Sequence, residues 1–169
     1  MNVLEKELED ILFEHIDSFE VLYERGFEHY CQRKYRQVNL GDYGVADIIG
    51  INDFESEVHR EIVVNIYELK KEEISVTTFL QAIRYAKALK ILLENSIKDA
   101  EFHYNIILIG KRISISSDFV YLPDFYENLH IYTYKIDFNK GIYFNKEEGY
   151  KLTNGKIPIK SDFFFKEPI

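Results

Sequence analysis

The sequence predicts an α/β protein in which a mixed β-sheet is flanked by helices. Two segments with helical spacing enclose three strand-like segments, and a short apolar segment that is typical of a buried strand follows the second helix. A chain of 169 residues fits one domain, and a hydrophobic content of 46% is enough for a buried core. The order of the elements therefore predicts a single α/β domain over residues 1–169.

Two helices are predicted from apolar periodicity. The first runs from Leu4 to Tyr23, where apolar residues recur at i, i+3, i+4 and i+7, and Gly26 ends the pattern. The second lies in ISVTTFLQAIRYAKALKILLENS, with Thr77 or Thr78 as the N-cap. Its apolar face is predicted to consist of Ala82, Tyr85, Ala86, Leu89, Leu92 and Leu93.

The strands are predicted where the helical period is lost. HYCQRKYRQV, VADIIGI and EIVVNIYEL are separated by turn-forming Gly, Asn and Asp residues and form a meander. YNIILIG is typical of a strand buried on both faces and predicts a parallel, right-handed crossover. HIYTYKID predicts the last strand of the sheet, and GIYFNKEEGYKLTNGKIP predicts a hairpin with its turn at Asn154 and Gly155. Residues 5–110 thus form an αβββαβ core, and residues 111–169 a sheet-completing β extension of unknown role.

Composition and charge exclude several classes of protein. The formal net charge is −8, but residues 1–30 hold nine acidic and two basic side chains, so the acidity belongs mainly to the first helix. A local basic patch can therefore still meet a polyanion. No apolar run approaches the ~20 residues that cross a bilayer, and Cys31, the one cysteine, suits a reducing compartment. We therefore expect a cytoplasmic protein that has no membrane partner. The five histidines show no zinc-ligand spacing, and there is no P-loop.

Three ionisable residues lie at the ends of two predicted strands. Asp47 follows a glycine-containing turn, and Glu68 and Lys70 have the i, i+2 spacing that places both side chains on one face of a strand. If the two strands pair as a hairpin, two carboxylates and an ammonium converge at one end of the sheet. Carboxylates with an adjacent lysine suit Mg²⁺ and phosphodiester chemistry. A lone E-x-K is more often a surface ion pair, so this motif alone is weak.

The combination of motifs resembles the PD-(D/E)XK nuclease superfamily. The matching residues are Asp47 in VADIIG, Glu68 and Lys70 in YELK, and Gln81 and Tyr85 in LQAIRY, which are similar to the Q-x-x-x-Y element of the RecB-like branch. DIIGI, EIVVNIYELKK and LQAIRYAKAL together look like a NucS-type endonuclease domain, over about residues 5–110. Ala46 stands where the family has proline.

The resemblance implies a restriction-endonuclease-like fold and a metal-dependent endonuclease that hydrolyses DNA. The implied cofactor is Mg²⁺, with Mn²⁺ as a substitute, held by Asp47, Glu68 and the backbone carbonyl of Leu69. Lys70 would assist the attacking water. Either Glu7 or Glu14 of the first helix could add a metal ligand, and of the two we favour Glu14 as the candidate.

Substrate contacts are predicted on the second helix. Gln81 and Tyr85 share one helical stripe, and the resemblance implies that they lie near the metal and the DNA backbone. Taken alone, the pair is better explained by packing, with Tyr85 in the core and Gln81 at its border. Arg84 and Lys87 form a basic face with Lys90, which suits phosphate contacts as well as a solvated surface. Further basic side chains lie on the first strand, at Arg33, Lys34 and Arg36.

Three functional hypotheses follow, and the metal-dependent DNA endonuclease leads. The second is an inactive nuclease-like domain that binds nucleic acid or a protein partner, and the third is an adaptor whose acidic first helix mimics nucleic acid. A duplex break generally needs two sites, so we expect a homodimer or a place in a larger nucleic-acid-processing complex. The form of the substrate and its specificity are not encoded in any recognisable motif.

Overall fold

The computed structural model describes residues 5–114, 118–123, 126–137, 139 and 141–149. In this part of the chain there are three α-helices and eight β-strands, together with two 3-10 turns at Gly41–Tyr43 and Asp118–Tyr121. The helices are α1 (Glu5–His15), α2 (Phe19–Tyr23) and α3 (Val76–Ser96). The strands are β1 (Arg33–Asn39), β2 (Val45–Glu55), β3 (Arg60–Leu69), β4 (Glu73–Ile74), β5 (Glu101–Gly110), β6 (Arg112–Ile113), β7 (Leu129–Asp137) and β8 (Gly141–Glu147).

Six strands form one mixed sheet in the order β1-β2-β3-β5-β7-β8. The pairs β1·β2, β2·β3 and β7·β8 are antiparallel, whereas β3·β5 and β5·β7 are parallel. The predicted mixed α/β sheet and the three-strand meander are therefore confirmed. β4 and β6 form a separate two-stranded parallel ladder. Because β3, β5 and β7 are parallel, their carboxyl ends lie at the same edge of the sheet.

Helices cover both faces of the sheet, and each face has its own hydrophobic core. Successive residues of a strand point to opposite faces of the sheet. In β3, Ile66 packs in the core on the α3 face, and Tyr67 packs in the core on the face of α1 and α2. β5 contributes Ile106 and Leu108 to the α3 side, and Ile107 and Ile109 to the other side. YNIILIG is thus a parallel strand with both faces buried, which confirms that prediction.

The N-terminal helix differs from the prediction, because α1 ends at His15 and a separate α2 begins at Phe19. At the break, the backbone carbonyl of Ile16 accepts the Cys31 N–H at 3.1 Å. Asp17 binds Lys34 through its side chain at 2.8 Å, and short acidic side chains of this kind favour caps and turns over helix interiors. Tertiary contacts therefore divide a helix that periodicity alone predicts as continuous.

Other boundaries shift by a few residues. The first strand begins at Arg33, and β2 extends to Glu55. The N-cap of α3 is Ser75, and Thr78 accepts the Ser75 N–H through its hydroxyl at 3.2 Å, so the predicted cap at Thr77 or Thr78 was wrong. In the described residues, no helix is both long and apolar enough to span a bilayer.

The C-terminal half contributes β7 and β8 to the main sheet. HIYTYKID forms β7 of the main sheet, as predicted, and pairs with β5. It is not the last strand, because β8 pairs with β7 and is the edge strand among the described residues. The predicted turn at Asn154 and Gly155 lies outside the described residues. Thus the described residues beyond 110 extend the main sheet by two strands.

Candidate functional site

The β2–β3 hairpin brings Asp47 and Glu68 together at one end of the sheet. Ile48 is opposite Tyr67, so continuing the antiparallel register by one residue places Asp47 opposite Glu68. The Asp47 carboxylate accepts the Leu69 N–H through Oδ2 at 2.9 Å. The local structure agrees with the sequence prediction that two carboxylates from neighbouring strands converge.

Glu68 is a fully buried carboxylate, and one of its oxygens lacks a partner in the part of the chain that the structure describes. Its exposed fraction is 0%, and its Oε1 accepts a hydrogen bond from the Lys70 ammonium at 2.7 Å. Oε2 is buried and has no hydrogen-bond partner among the described residues. An unpaired buried carboxylate oxygen costs several kcal/mol of solvation, so it requires a proton or a cation.

Burial and mutual repulsion shift the ionisation of both carboxylates. Burial raises the pKa of Glu68 to about 7, and the negative charge of Asp47 adds to the shift. Burial also raises the pKa of Asp47, although the hydrogen bond from Leu69 opposes that rise. For Lys70, burial alone would lower the pKa, but the hydrogen bond and the charge of Glu68 outweigh it and raise the pKa above its ordinary value. Lys70 is therefore a permanent cation at neutral pH.

A third carboxylate, which the sequence analysis missed, approaches from the first turn of α1. Glu5 accepts the Lys71 N–H at 3.1 Å, and its charge contributes to raising the pKa values of Asp47 and Glu68. The predicted Glu14 is not brought here, because it lies nine residues further along α1, ~13 Å along the axis. The Glu14 side chain is 74% exposed, beside His15. The alternative, Glu7, is also exposed.

Hydrogen bonds from three elements hold the backbone at Lys70 and Lys71. Glu5 binds the backbone N–H of Lys71, and the hydroxyl of Tyr134, from β7, donates to the backbone carbonyl of the same residue at 2.6 Å. The Lys70 N–H also donates to the Ile109 carbonyl of β5 at 2.8 Å. Contacts from α1, β5 and β7 therefore fix the backbone that presents the Lys70 ammonium. Nothing in the sequence near Tyr134 indicates this contact.

The helix pair Gln81 and Tyr85 packs close to the turn that precedes Asp47. The Gln81 amide donates to the Tyr85 hydroxyl at 2.7 Å, and Tyr85 is 2% exposed. Gly44 has a φ of +106°, and a Cβ at this position would lie 3.1 Å from the Tyr85 ring. Tyr85 therefore packs in the core and against the turn that leads into Asp47, whereas Gln81 is half-buried at the border of the core.

The predicted basic residues fall into two groups. Arg84 and Lys87 are exposed, and within the described chain no carboxylate lies within ion-pair distance of either one. Lys90, by contrast, pairs with Glu94 at 2.6 Å. The basic side chains of β1 are all used in ion pairs: Arg33 with Asp53, Lys34 with Asp17, and Arg36 with Glu9 and Asp10. The β1 cluster is therefore largely neutralised by internal acids.

The residues at the Asp47–Glu68 site fit Mg²⁺ better than a metal that needs several protein ligands. Over the described ranges, no group of three or more His, Cys, Asp or Glu side chains is arranged to hold a metal ion. Mg²⁺ keeps several waters and is commonly held by one or two carboxylates together with substrate phosphate. The buried, unpaired Oε2 of Glu68 beside Asp47 meets that requirement. The third predicted ligand, the backbone carbonyl of Leu69, belongs to the residue next to Glu68. The N–H of Leu69 donates to Asp47.

Comparison with known proteins gives no assignment. The chain matches no protein-family model, no curated protein and no solved structure. Its function must therefore be argued from the site itself.

Proposed function

We propose that this protein is a Mg²⁺-dependent endonuclease that hydrolyses DNA phosphodiester bonds on a restriction-endonuclease-like fold of the PD-(D/E)XK type. The order of elements supports the fold, since a helix, an antiparallel three-strand meander, a crossover helix and a parallel strand follow one another. A lone, buried cysteine supports a cytoplasmic location. Action as a homodimer or within a larger nucleic-acid-processing complex belongs to the same proposal.

The observation that carries the proposal is the state of Glu68. A fully buried carboxylate with an oxygen that has no partner among the described residues, next to a second carboxylate, costs stability, and groups of this kind are concentrated at functional sites. In a buried ion pair that served the fold alone, the second oxygen would also be expected to accept a hydrogen bond. The unpaired oxygen and the raised pKa together favour a site that exchanges a proton for a divalent cation.

Each residue has a role that follows from its environment. Asp47 and Glu68 would hold Mg²⁺, which when bound polarises the phosphodiester and activates water. Lys70 keeps its proton at neutral pH, so it acts as a hydrogen-bond donor and a positive charge rather than as a general base. One of its three donors binds Glu68, and the others remain to orient the attacking water or to neutralise charge on the phosphate. Tyr85, whose hydroxyl binds Gln81, packs against the Asp47 turn, and Arg84 and Lys87 supply cations for the DNA backbone.

Cleavage assays with matched variants test the proposal. Plasmid, single-stranded and branched DNA are incubated with Mg²⁺ or Mn²⁺ and the wild type, Asp47→Asn, Glu68→Gln or Lys70→Met. We expect each substitution to reduce the cleavage rate by about 100-fold or more. Glu61→Gln, on the same strand but 41% exposed at its other end, should cleave like the wild type. Cleavage that survives Glu68→Gln and Lys70→Met would contradict the proposal.

Calorimetry with Mn²⁺ separates the endonuclease from the inactive nuclease-like domain that we keep as the alternative. An intact site should bind Mn²⁺ in the wild type and in Glu61→Gln, and binding should be lost in Glu68→Gln. If the wild type binds no Mn²⁺ but binds DNA, the alternative is correct. Metal binding without cleavage of any of these DNA forms would point to a different phosphodiester substrate.

A further inference from the structure

A two-stranded arm projects past the sheet edge where Lys70 lies. Thr133 of β7 is opposite Gly110, the last residue of β5, so residues 134–137 continue beyond β5 by about 13 Å. β8 pairs with this extension, with Lys135 opposite Tyr143. We call residues 134–137 and 141–144 the β7–β8 arm.

The arm is fixed in place, so what it presents is a defined surface. Tyr134 binds the Lys71 carbonyl, and Phe144 donates its backbone N–H to the Arg25 carbonyl at 2.8 Å. Gly26 allows this contact, because a Cβ there would lie 2.3 Å from the Phe144 carbonyl oxygen. Tyr134 and Phe144 are also buried in the core beneath α1 and α2. The arm therefore packs as part of the domain.

A groove runs between the arm and the turn after β5, lined by Lys111, Tyr134, Lys135 and Ile136. It lies against the segment that follows Lys70, because the Tyr134 hydroxyl donates to the Lys71 carbonyl and the Lys111 N–H donates to the Glu72 carbonyl at 2.9 Å. Lys135 is exposed, and no described carboxylate lies within ion-pair distance of its ammonium. Lys111, which is 51% exposed, has one long ion-pair contact with the described residues, to Glu72 at 3.8 Å.

We infer that this groove holds the sugar-phosphate backbone of the substrate strand next to the bond that is cut, with Lys111 and Lys135 contacting phosphates. The inference rests on the proposed function, because it names the path by which the strand reaches the Asp47–Glu68 site. Charge complementarity supports it: in a protein of net charge −8, two weakly compensated ammonium groups flank one groove beside the site. The apolar side of Ile136 and the carbon stems of the lysines suit the sugar edges.

Phosphate contacts of this kind position a strand without reading its sequence. They also make binding dependent on salt, since each neutralised phosphate adds nearly one unit to the slope of log K against log salt concentration. Loss of one lysine should therefore weaken binding to all sequences equally and reduce that slope by about one. This signature distinguishes a phosphate contact from a residue that acts only on the fold or on chemistry.

The test measures binding without cleavage. Fluorescence anisotropy with ~30-nucleotide single-stranded and duplex DNA in EDTA, over a range of salt concentrations, compares the wild type with Lys111→Gln and Lys135→Gln. The matched control is Lys98→Gln, an exposed lysine close to the opposite end of β5. We expect each groove variant to bind several-fold more weakly with a slope lower by about one, and the control to bind like the wild type.

Two results would overturn the inference: unchanged affinity in both groove variants, or equal weakening by Lys98→Gln, which would show only a general field effect. The failure of the proposed function looks different. If the wild type cleaves DNA and the groove variants bind normally, the nuclease stands and the groove inference fails. If Lys135→Gln lowers DNA affinity with the expected slope but no protein cleaves, the groove is a phosphate-binding surface for DNA, and the nuclease proposal, together with the groove's role beside a cleaved bond, fails.

Discussion

The two ends of strand β3 carry the same kinds of ionisable side chains in opposite surroundings. At the carboxyl end, Glu68 is fully buried beside Asp47, and one of its oxygens has no described partner. At the amino end, Glu61 contacts His103 at 3.5 Å, and Glu101 of β5 lies 3.3 Å from the same imidazole. The Glu61, Glu101 and His103 side chains are between 41% and 58% exposed.

The two ends differ in burial rather than in residue type, since Glu68 is 0% exposed and the Glu61 side chain is 41% exposed. The amino end also borders a wide surface depression, lined in part by His59, Arg60 and Lys98. Its acids and bases are solvated and face one another, with His59 3.6 Å from Glu101, so they gain little from a ligand. The carboxyl end instead holds a buried carboxylate oxygen with no hydrogen-bond partner among the described residues, and our proposal assigns a cation to this position.

The largest effect is expected on the pH dependence of stability in the absence of metal. The folded-state pKa of Glu68 is raised from 4.5 to about 7, so between these values the folded chain binds more protons than the unfolded chain. Stability from this group is therefore present below about pH 4.5 and is lost as the pH rises through about 7. The loss amounts to at most about 3 kcal/mol.

Urea unfolding in EDTA at pH 5 and pH 8 measures this loss. The unfolding free energy of Glu68→Gln minus that of the wild type should be larger at pH 8 than at pH 5, by up to about 3 kcal/mol. Glu61→Gln should differ from the wild type by less than about 0.5 kcal/mol at both pH values. Adding Mn²⁺ at pH 8 should restore stability to the wild type but not to Glu68→Gln. If the difference in unfolding free energy between the wild type and Glu68→Gln is the same at pH 5 and pH 8, Glu68 does not titrate in this range.

The sequence predicted the hairpin and the acid pair because both depend on local spacing. Strand periodicity set the register of β2 and β3, and that register places Asp47 opposite Glu68. The roles of Glu5 and Tyr134 could not be predicted in the same way. Both bind Lys71 over sequence separations of 66 and 63 residues, and no pattern in a single chain encodes which helix turn or strand end meets that peptide. The break between α1 and α2 has the same origin, since Cys31 and Lys34 bind it from outside.

A second prediction concerns the contact between Tyr134 and Lys71. Tyr134→Phe removes the hydroxyl that holds the Lys71 carbonyl at 2.6 Å, which should cost about 1 kcal/mol of unfolding free energy. If the contact positions Lys70, the cleavage rate at saturating DNA should fall about tenfold, as for groups that orient catalytic residues. The Mn²⁺ affinity should stay unchanged, because Asp47 and Glu68 are intact.

Tyr35→Phe is the matched control, because Tyr35 is 46% exposed on the edge strand β1. It should leave both stability and cleavage unchanged. A Tyr134→Phe protein that loses stability but cleaves at the wild-type rate would show that the contact only supports the fold. An equal loss of Mn²⁺ affinity and rate would instead indicate that the whole edge of the sheet has shifted.

The smallest effect is expected at the amino end of β3. Glu101→Gln removes the carboxylate that faces both His59 and His103, but all three side chains are about half exposed, so solvent replaces the lost contacts. Stability should change by less than about 0.5 kcal/mol, and DNA cleavage and Mn²⁺ binding should equal those of the wild type. Urea unfolding and the cleavage assay measure both quantities. Because Glu101→Gln and Glu68→Gln make the same chemical change about 23 Å apart along paired strands, a large effect at Glu101 would refute the argument that burial distinguishes the two ends.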